Sequence, residues 1–246
     1  MDLPQELIGE ITNHRLPDDE TSLRSCSLVA KPWIYPSRRR LFEIVDVTRT
    51  ERLGSWLDTI PATNVGVLRH VRSLYYGIPE GLKNHHGYID PLHEYLPSFH
   101  QLGRLILLGG RSPPLSQIGT YAAFQRTLSY LRLWCCRVTA SALVTLVNYF
   151  PNLTHLDLDL VSHTVDGHLI PPFSRPLCKL SIAEIPAFGL GLIGQLMELR
   201  PQCDDVTISL HSLKCPSLVH RVIDVVGANV KRLSLEWSPE GVWNIP

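Results

Sequence analysis

The hydrophobic positions of this chain recur in a short pattern, L-x-x-L-x-L, whose clearest copy runs from Leu128 to Leu133. Six further copies place apolar residues at the corresponding positions. The middle apolar residues of the copies are Leu74, Leu105, Leu131, Leu156, Leu180, Val206 and Leu233. Successive copies are separated by 24 to 31 residues. A spacing this regular predicts a repeated structural unit rather than chance clusters of leucine.

Within each copy apolar and polar residues alternate, which predicts a strand with one buried face. The segment 42–47 has the same alternation and predicts an additional strand ahead of the seven. Between the copies, helical patterns predict helices at 91–99, 121–127, 141–150, 190–199 and 217–226. The segment 162–176 contains one glycine and three prolines, and it predicts a loop.

The copy at 128–138 continues through Cys136 to Val138 and resembles a leucine-rich repeat, L-x-x-L-x-L-x-x-N/C-x-L. The resemblance implies an α/β fold, a leucine-rich repeat solenoid with a parallel sheet on its concave side. It implies a domain over 42–246 with about seven irregular repeats of 24 to 31 residues. The leucines would then form the core, and function would fall on the residues that alternate with them.

These alternating residues form three rows across the predicted sheet. The first row is Ser73, Arg104, Tyr130, His155, Lys179, Asp205 and Arg232. The second row is Tyr75, Ile106, Arg132, Asp157, Ser181, Thr207 and Ser234. The third row is Gly77, Leu108, Trp134, Asp159, Ala183, Ser209 and Glu236.

Because neighbouring strands lie about 4.8 Å apart, the rows predict one exposed aromatic and arginine-rich patch for a protein substrate. Its residues are Tyr75, Arg104, Ile106, Leu108, Tyr130, Arg132, Trp134, Asp157 and Asp159. An alternative is that a helix or loop covers the apolar part and that Arg132 pairs with Asp157 across strands.

The first forty residues have a different composition, with Leu-Pro-Gln-Glu-Leu at 3–7 and Cys-Ser-Leu-Val-Ala-Lys-Pro-Trp at 26–33. Leucines and isoleucines at 3, 7, 8 and 11 form one stripe of a first helix that Pro4 can open. Asp18 and Asp19 can cap a second helix, and Pro32 can open a third. Three short helices are therefore predicted over 1–41.

This segment resembles an F-box, and the resemblance covers residues 2 to 42. It implies a subunit of a Skp-cullin-F-box ubiquitin ligase that has no catalytic residues of its own. The helices would bind the Skp-type adaptor and, through it, a cullin-RING ligase, while the repeats would bind a substrate protein. The resemblance assigns adaptor binding to Leu3, Pro4, Leu7, Ile8, Ile11, Leu28 and Trp33. The alternative is a ligase-independent interaction scaffold, in which these helices only cap the repeats.

Composition narrows the possible partners. The chain has 246 residues, with 23 basic and 23 acidic side chains, so its balanced charge predicts no nucleic-acid partner. The longest uncharged stretch, 138–156, is too polar for a membrane span. The six cysteines have no C-x-x-C spacing, and the acidic start of the sequence does not have the pattern of a signal peptide. Both features predict a reducing compartment, the cytoplasm or the nucleus. No closing helix pattern follows Leu235, as would occur in a fragment.

Two motifs suggest chemistry but lack its context. Glycines at 189, 191 and 194 match G-x-G-x-x-G, yet no acidic residue ends the next strand to hold a ribose, so we predict no cofactor. Histidines near 85–93 and 163–168 lie in predicted loops without a ligand spacing, so we predict no metal.

Overall fold

A computed structural model describes residues 5–12, 20–29, 31–48, 62–77, 95–109, 115–163, 170–183, 192, 194–196, 202–210 and 230–237. Three helices come first: α1 (Gln5–Glu10), α2 (Glu20–Val29) and α3 (Lys31–Leu41). Three helices were expected here, and Pro32 is the second residue of α3, where its missing N–H has no helical partner to lose. The capping residues predicted for α2, Asp18 and Asp19, lie outside the described residues.

The rest of the described chain is built on a parallel sheet of eight strands in a mixed α/β fold. Its strands are β1 (Ile44–Val47), β2 (Ser73–Gly77), β3 (Arg104–Leu108), β4 (Tyr130–Trp134), β6 (His155–Asp159), β8 (Leu177–Ala183), β9 (Cys203–Leu210) and β10 (Arg232–Trp237), in that spatial order. Two short strands, β5 (Arg137–Val138) and β7 (Ser162–His163), pair separately and in parallel. The eight strands of the main sheet therefore lie side by side in the order in which they occur along the chain.

The pairing register confirms the three predicted rows. Arg104 faces Ser73 on one side and Tyr130 on the other, and the same alignment continues to Arg232. The predicted additional strand is β1, and its pairing with β2 adds Ile44 to the first row and Asp46 to the second. We call the side of the sheet that carries these rows the row face.

Successive strands begin in the same way. The carbonyl of Gly103 accepts the backbone N–H groups of Ser129 and Tyr130, one strand further on. The carbonyls of Glu43, Arg72, Ser129 and Thr154 each accept two consecutive N–H groups of the following unit in the same manner. A single carbonyl with two lone pairs therefore sets the start of each new strand against the previous one.

The hydrophobic core lies on the side of the sheet opposite the row face. It contains the apolar residues of each copy, with Leu74, Leu131 and Leu156 fully buried. Phe99, Phe124 and Phe150, one from each of three connecting segments, pack below them. The rings of Phe124 and Phe150 are stacked with centroids 6.1 Å apart. The L-x-x-L-x-L pattern predicted the leucine layers but not this phenylalanine layer.

The connecting segments differ from the prediction in type. The predicted helix 141–150 is found as an α-helix, α4 (Ala140–Tyr149), whose first turn is capped by the Thr139 side chain accepting from the Ala142 N–H. Three others are 3-10 helices: Ala62–His70, Leu96–Ser98 and Leu115–Phe124. A 3-10 helix rises about 2.0 Å per residue against 1.5 Å, so it crosses the sheet with fewer residues.

The remaining connections are described only in part. Positions 192 and 194–196 of the predicted helix 190–199 are helical, while the predicted helix 217–226 lies outside the described residues. Positions 170–176 contain neither helix nor strand, which agrees with the predicted loop 162–176. The prediction is wrong at its first two residues, Ser162 and His163, which form β7 because their backbone pairs with β5. Asn148 holds this loop against α4, donating to the Pro172 carbonyl and accepting from the Ser174 N–H.

Candidate functional site: the row face of strands β3, β4 and β6

Two hydrogen-bonded pairs join β4 to β6 on the row face. The Tyr130 hydroxyl donates to the Asp157 carboxylate, and the Arg132 guanidinium donates to the Asp159 carboxylate. Each pair is diagonal, because it reaches one row further along the neighbouring strand. The predicted alternative, an Arg132 to Asp157 pair, is wrong: Asp157 accepts from Tyr130, and Arg132 reaches Asp159 instead.

Each arginine of this surface also packs over an aromatic ring. The guanidinium carbon of Arg104 lies 4.1 Å from the ring centroid of Tyr130. That of Arg132 lies 5.3 Å from the ring centroid of Trp134. Such cation–π contacts contribute about 0.5–1 kcal/mol at exposed sites. The aromatic rings therefore hold both arginine side chains against the sheet.

The surroundings shift the pKa of two side chains in this cluster. Burial raises the pKa of Tyr130, and its hydrogen bond to Asp157 raises it further, so the hydroxyl keeps its proton and acts as a donor. Burial lowers the pKa of Arg132, but its bond to Asp159 more than offsets this, and the net pKa is raised. Tyr130 and Arg132 therefore both act as hydrogen-bond donors to the carboxylates of β6.

The exposure of the predicted patch is uneven. Trp134 is 38% exposed and Arg104 is exposed, while Tyr75 and Leu108 are half-buried. Ile106 is only 3% exposed, so the prediction that it contributes exposed surface is wrong. Its register neighbours are Tyr75 and Arg132, whose long side chains flank it on both sides. Burial of Ile106 anchors the patch and leaves Trp134 as its main accessible apolar group.

Asp159 is the most buried carboxylate of the cluster. It is 9% exposed, and its Oδ1 and the Nε of Arg132 have no hydrogen-bond partner among the described residues. The pair is therefore joined through one nitrogen and one oxygen rather than by both arms of the guanidinium.

The predicted adaptor-binding residues divide by burial. Ile8 is buried and Ile11 and Trp33 are half-buried, so these three support the packing of the helices. Leu7 is 44% exposed and Leu28 is 86% exposed, so both are open to a partner. Leu3 and Pro4 lie outside the described residues.

Two exposed hydrophobic side chains were missed by the sequence reasoning. Tyr35 on α3 is 54% exposed, and Ile44 on β1 is 58% exposed. The buried position of α3 is Ser37, which lies about 200° around the helix from Tyr35. Because a serine faces inward there, the apolar pattern of α3 gave no sign that Tyr35 faces outward. Ile44 could have been found by extending the first row onto the additional predicted strand.

Other chemistry is limited in the described residues. No group of three or more histidine, cysteine or acidic residues placed to hold a metal occurs in the part of the chain that is described. No disulfide joins the five cysteines of that part, and burial raises the pKa of Cys203 to about 12. No helix in the described ranges is long and apolar enough to cross a membrane.

No family model matches this sequence, and no curated protein matches it.

Proposed function

We propose that this chain is the substrate-recognition subunit of a Skp-cullin-F-box ubiquitin ligase. In this proposal the helices over 1–41 form an F-box that binds the Skp-type adaptor. The segment 42–246 forms a leucine-rich repeat solenoid whose row face binds a substrate protein.

The repeat assignment is supported by hydrogen bonds as well as by spacing. Five carbonyls each accept two consecutive backbone N–H groups at the start of the next unit, as expected of stacked repeats. They are those of Glu43, Arg72, Gly103, Ser129 and Thr154. In the best-matching copy, the Cys136 thiol lies 3.5 Å from the Leu107 carbonyl and 3.6 Å from the Gly109 carbonyl of the preceding unit. The N/C position of the repeat pattern thus carries a side chain that bonds the backbone of its neighbour.

The exposure of Leu28 is the observation that carries the adaptor assignment. Leu28 belongs to the Cys-Ser-Leu-Val motif, yet it is 86% exposed on α2. Burying a leucine gains about 1.5–3 kcal/mol, which the isolated chain forgoes at this position. A partner that covers Leu28 and Leu7 would recover that free energy, and a Skp-type adaptor is the partner that the F-box resemblance names.

The mechanism of such a subunit is proximity. A substrate held on the row face would be presented to a ubiquitin carrier in the same complex, at an effective concentration of order millimolar. The proposed role needs no catalytic residue and no cofactor in this chain, because the bond-forming groups would belong to the other subunits.

Co-purification with a Skp-type adaptor tests the proposal. The parent chain should form a stoichiometric complex, and a Leu7→Asp, Leu28→Asp double variant should not. Both positions are exposed, so the double variant should keep the parent melting temperature, and this serves as the folding control. Absence of a complex with the folded parent at high micromolar adaptor would overturn the proposal.

The substrate surface has its own test. Trp134→Ala should abolish capture of a substrate from an extract while adaptor binding and folding remain intact, because Trp134 supplies exposed aromatic area at the centre of the patch. A control is Ile44→Ala, which removes an apolar side chain that is more exposed than Trp134, at 58% against 38%, from the edge of the sheet. Equal capture by parent and Trp134→Ala would remove the patch from the proposal.

A ligase-independent scaffold is the second candidate, and the packing of α3 favours it. The ring of Tyr35 meets that of His70 edge to face at 5.2 Å, so α3 packs on the 3-10 helix Ala62–His70 beside the first strands. A helical cap would do the same. The two candidates differ in outcome, because a cap predicts no adaptor complex for the folded chain.

A further inference from the structure

Three exposed arginines converge where α3 meets the 3-10 helix Ala62–His70. Arg38 and Arg39 lie in the last turn of α3, and Arg69 lies in the last turn of the 3-10 helix. We call these three residues the basic cluster. None of them belongs to the proposed adaptor contacts or to the row face.

The contact between Tyr35 and His70 brings the basic cluster together. Their ring centroids are 5.2 Å apart, which fixes this face of α3 against the 3-10 helix. Residues three and four positions apart share a helix face, so Arg38 and Arg39 lie on the same side of α3 as Tyr35. Arg69 directly precedes His70 in the chain. An exposed tyrosine ring and three guanidinium groups therefore form one surface.

The described part of the chain places no carboxylate against this surface. Arg40, the next residue of α3, has a carboxylate partner, Glu43, at 2.5 Å. No carboxylate of the described residues lies within 4.0 Å of the three arginines of the basic cluster. The carbonyl end of a helix carries about half a negative charge, so two helix ends offset about one of the three positive charges.

The environment of His70 shows that the positive potential extends beneath the surface. Burial lowers the pKa of His70, and the charges of Arg69 and Arg39 lower it further. Both arginines therefore disfavour a positive charge on the buried imidazole. A nearby acidic side chain would have the opposite effect on this pKa.

We propose that the basic cluster and Tyr35 bind an acidic protein segment. Its carboxylates pair with Arg38, Arg39 and Arg69, and an apolar side chain packs on the Tyr35 ring. Arginine and tyrosine are enriched in protein interfaces, and exposed arginines select acidic partners by charge complementarity. A nucleic acid fits less well, because binding it depends on many phosphate contacts and this chain has a net charge of zero.

Fluorescence anisotropy with the full chain tests this inference. The probe is a labelled glutamate-rich peptide with one central leucine, and its partner probe has serine in place of that leucine. The parent should bind the leucine peptide, binding should weaken with added salt, and the serine peptide should bind more weakly. Arg39→Glu, Arg69→Glu should lose affinity by about tenfold or more.

The matched control is Arg126→Glu, Arg137→Glu, which makes the same charge change at exposed arginines away from the basic cluster. It should bind like the parent. Three results would each overturn the inference. They are an equal loss of affinity in both double variants, equal binding of the two peptides, and tighter binding of a single-stranded RNA than of the leucine peptide. Melting temperatures of all variants identify any misfolded protein, and Arg39→Gln, Arg69→Gln then replaces a variant that fails to fold. The result does not depend on the ligase proposal, because no adaptor is present.

Discussion

The helices and the sheet use their hydrophobic residues differently. In the sheet the repeating leucines are buried, and Leu131 and Leu156 have no exposed surface. In the helices Leu28 and Leu7 are exposed, at 86% and 44%. Folding of the chain explains the leucines of the sheet completely. It leaves the exposure of Leu28 and Leu7 unexplained, although Leu23 of α2 is buried like the leucines of the sheet. The proposed adaptor would account for that exposure.

The largest effect is expected where the sheet is most closely packed. Leu131→Ala would remove a fully buried side chain from the middle of the core and should lower the free energy of unfolding by about 2–5 kcal/mol. Leu28→Ala should change it by less than about 0.5 kcal/mol, because that side chain is exposed. Chemical denaturation of both variants measures the contrast. Similar losses would show that the two regions do not differ.

A second effect concerns the junction between β1 and β2. A Cβ atom at Gly77 would lie 2.3 Å from the carbonyl oxygen of Thr48, so Gly77→Ala requires the backbone to move. We expect a loss of about 1–3 kcal/mol in unfolding free energy. Gly66→Ala is the control, since a Cβ there meets nothing within 4 Å. An unchanged melting temperature for Gly77→Ala would contradict the register of β1 and β2.

Substitutions on the row face should lower the free energy of unfolding less than substitutions in the core, but by a measurable amount. Arg132→Met keeps the bulk of the side chain and removes the charge that faces the buried Asp159 carboxylate. A loss of about 1–3 kcal/mol is expected at neutral pH, because an unpaired buried polar group is costly. The loss should shrink in the double variant Arg132→Met, Asp159→Leu. A double-mutant cycle by thermal denaturation checks both statements.

The smallest effect is a pH dependence at the contact between helices and sheet. The pKa of His70 lies below its usual 6.5 in the folded chain, so the folded state binds its proton less readily than the unfolded state. The contribution of His70 is constant above pH 6.5, and stability should fall as pH falls below that value. His70→Gln should flatten this part of the profile, whereas His100→Gln, at an exposed site, should not. Thermal melts of the parent and of both variants across this pH range test this expectation.

The sequence predicted the sheet well because its signal is redundant. Seven copies of one pattern fix strand position and register together, so Arg104 and Tyr130 could be placed in one row before the structure was known. The connecting segments were less predictable, since an α-helix and a 3-10 helix differ by which carbonyl accepts each N–H and not by apolar pattern. Only α4, with Thr139 as its cap, carried a distinct α-helical signal.

The sequence predicted which residues share the candidate site but not which of their side chains pair with each other. The rows placed Arg132 level with Asp157, and a direct pair was the natural expectation. Which carboxylate an arginine reaches depends on side-chain torsions and on competition from Tyr130, and neither is encoded in spacing. Burial of Ile106 likewise depends on how its long neighbours fold over it.

The most direct test of this account is a calorimetric titration of a Skp-type adaptor into three folded proteins: the parent, Leu28→Ala and Ile44→Ala. Both substitutions remove a largely exposed apolar side chain, one from the helices and one from the sheet. We expect the parent and Ile44→Ala to bind with equal affinity, and Leu28→Ala to bind about tenfold or more weakly. Binding that is absent in the parent, or equal in all three proteins, would contradict it.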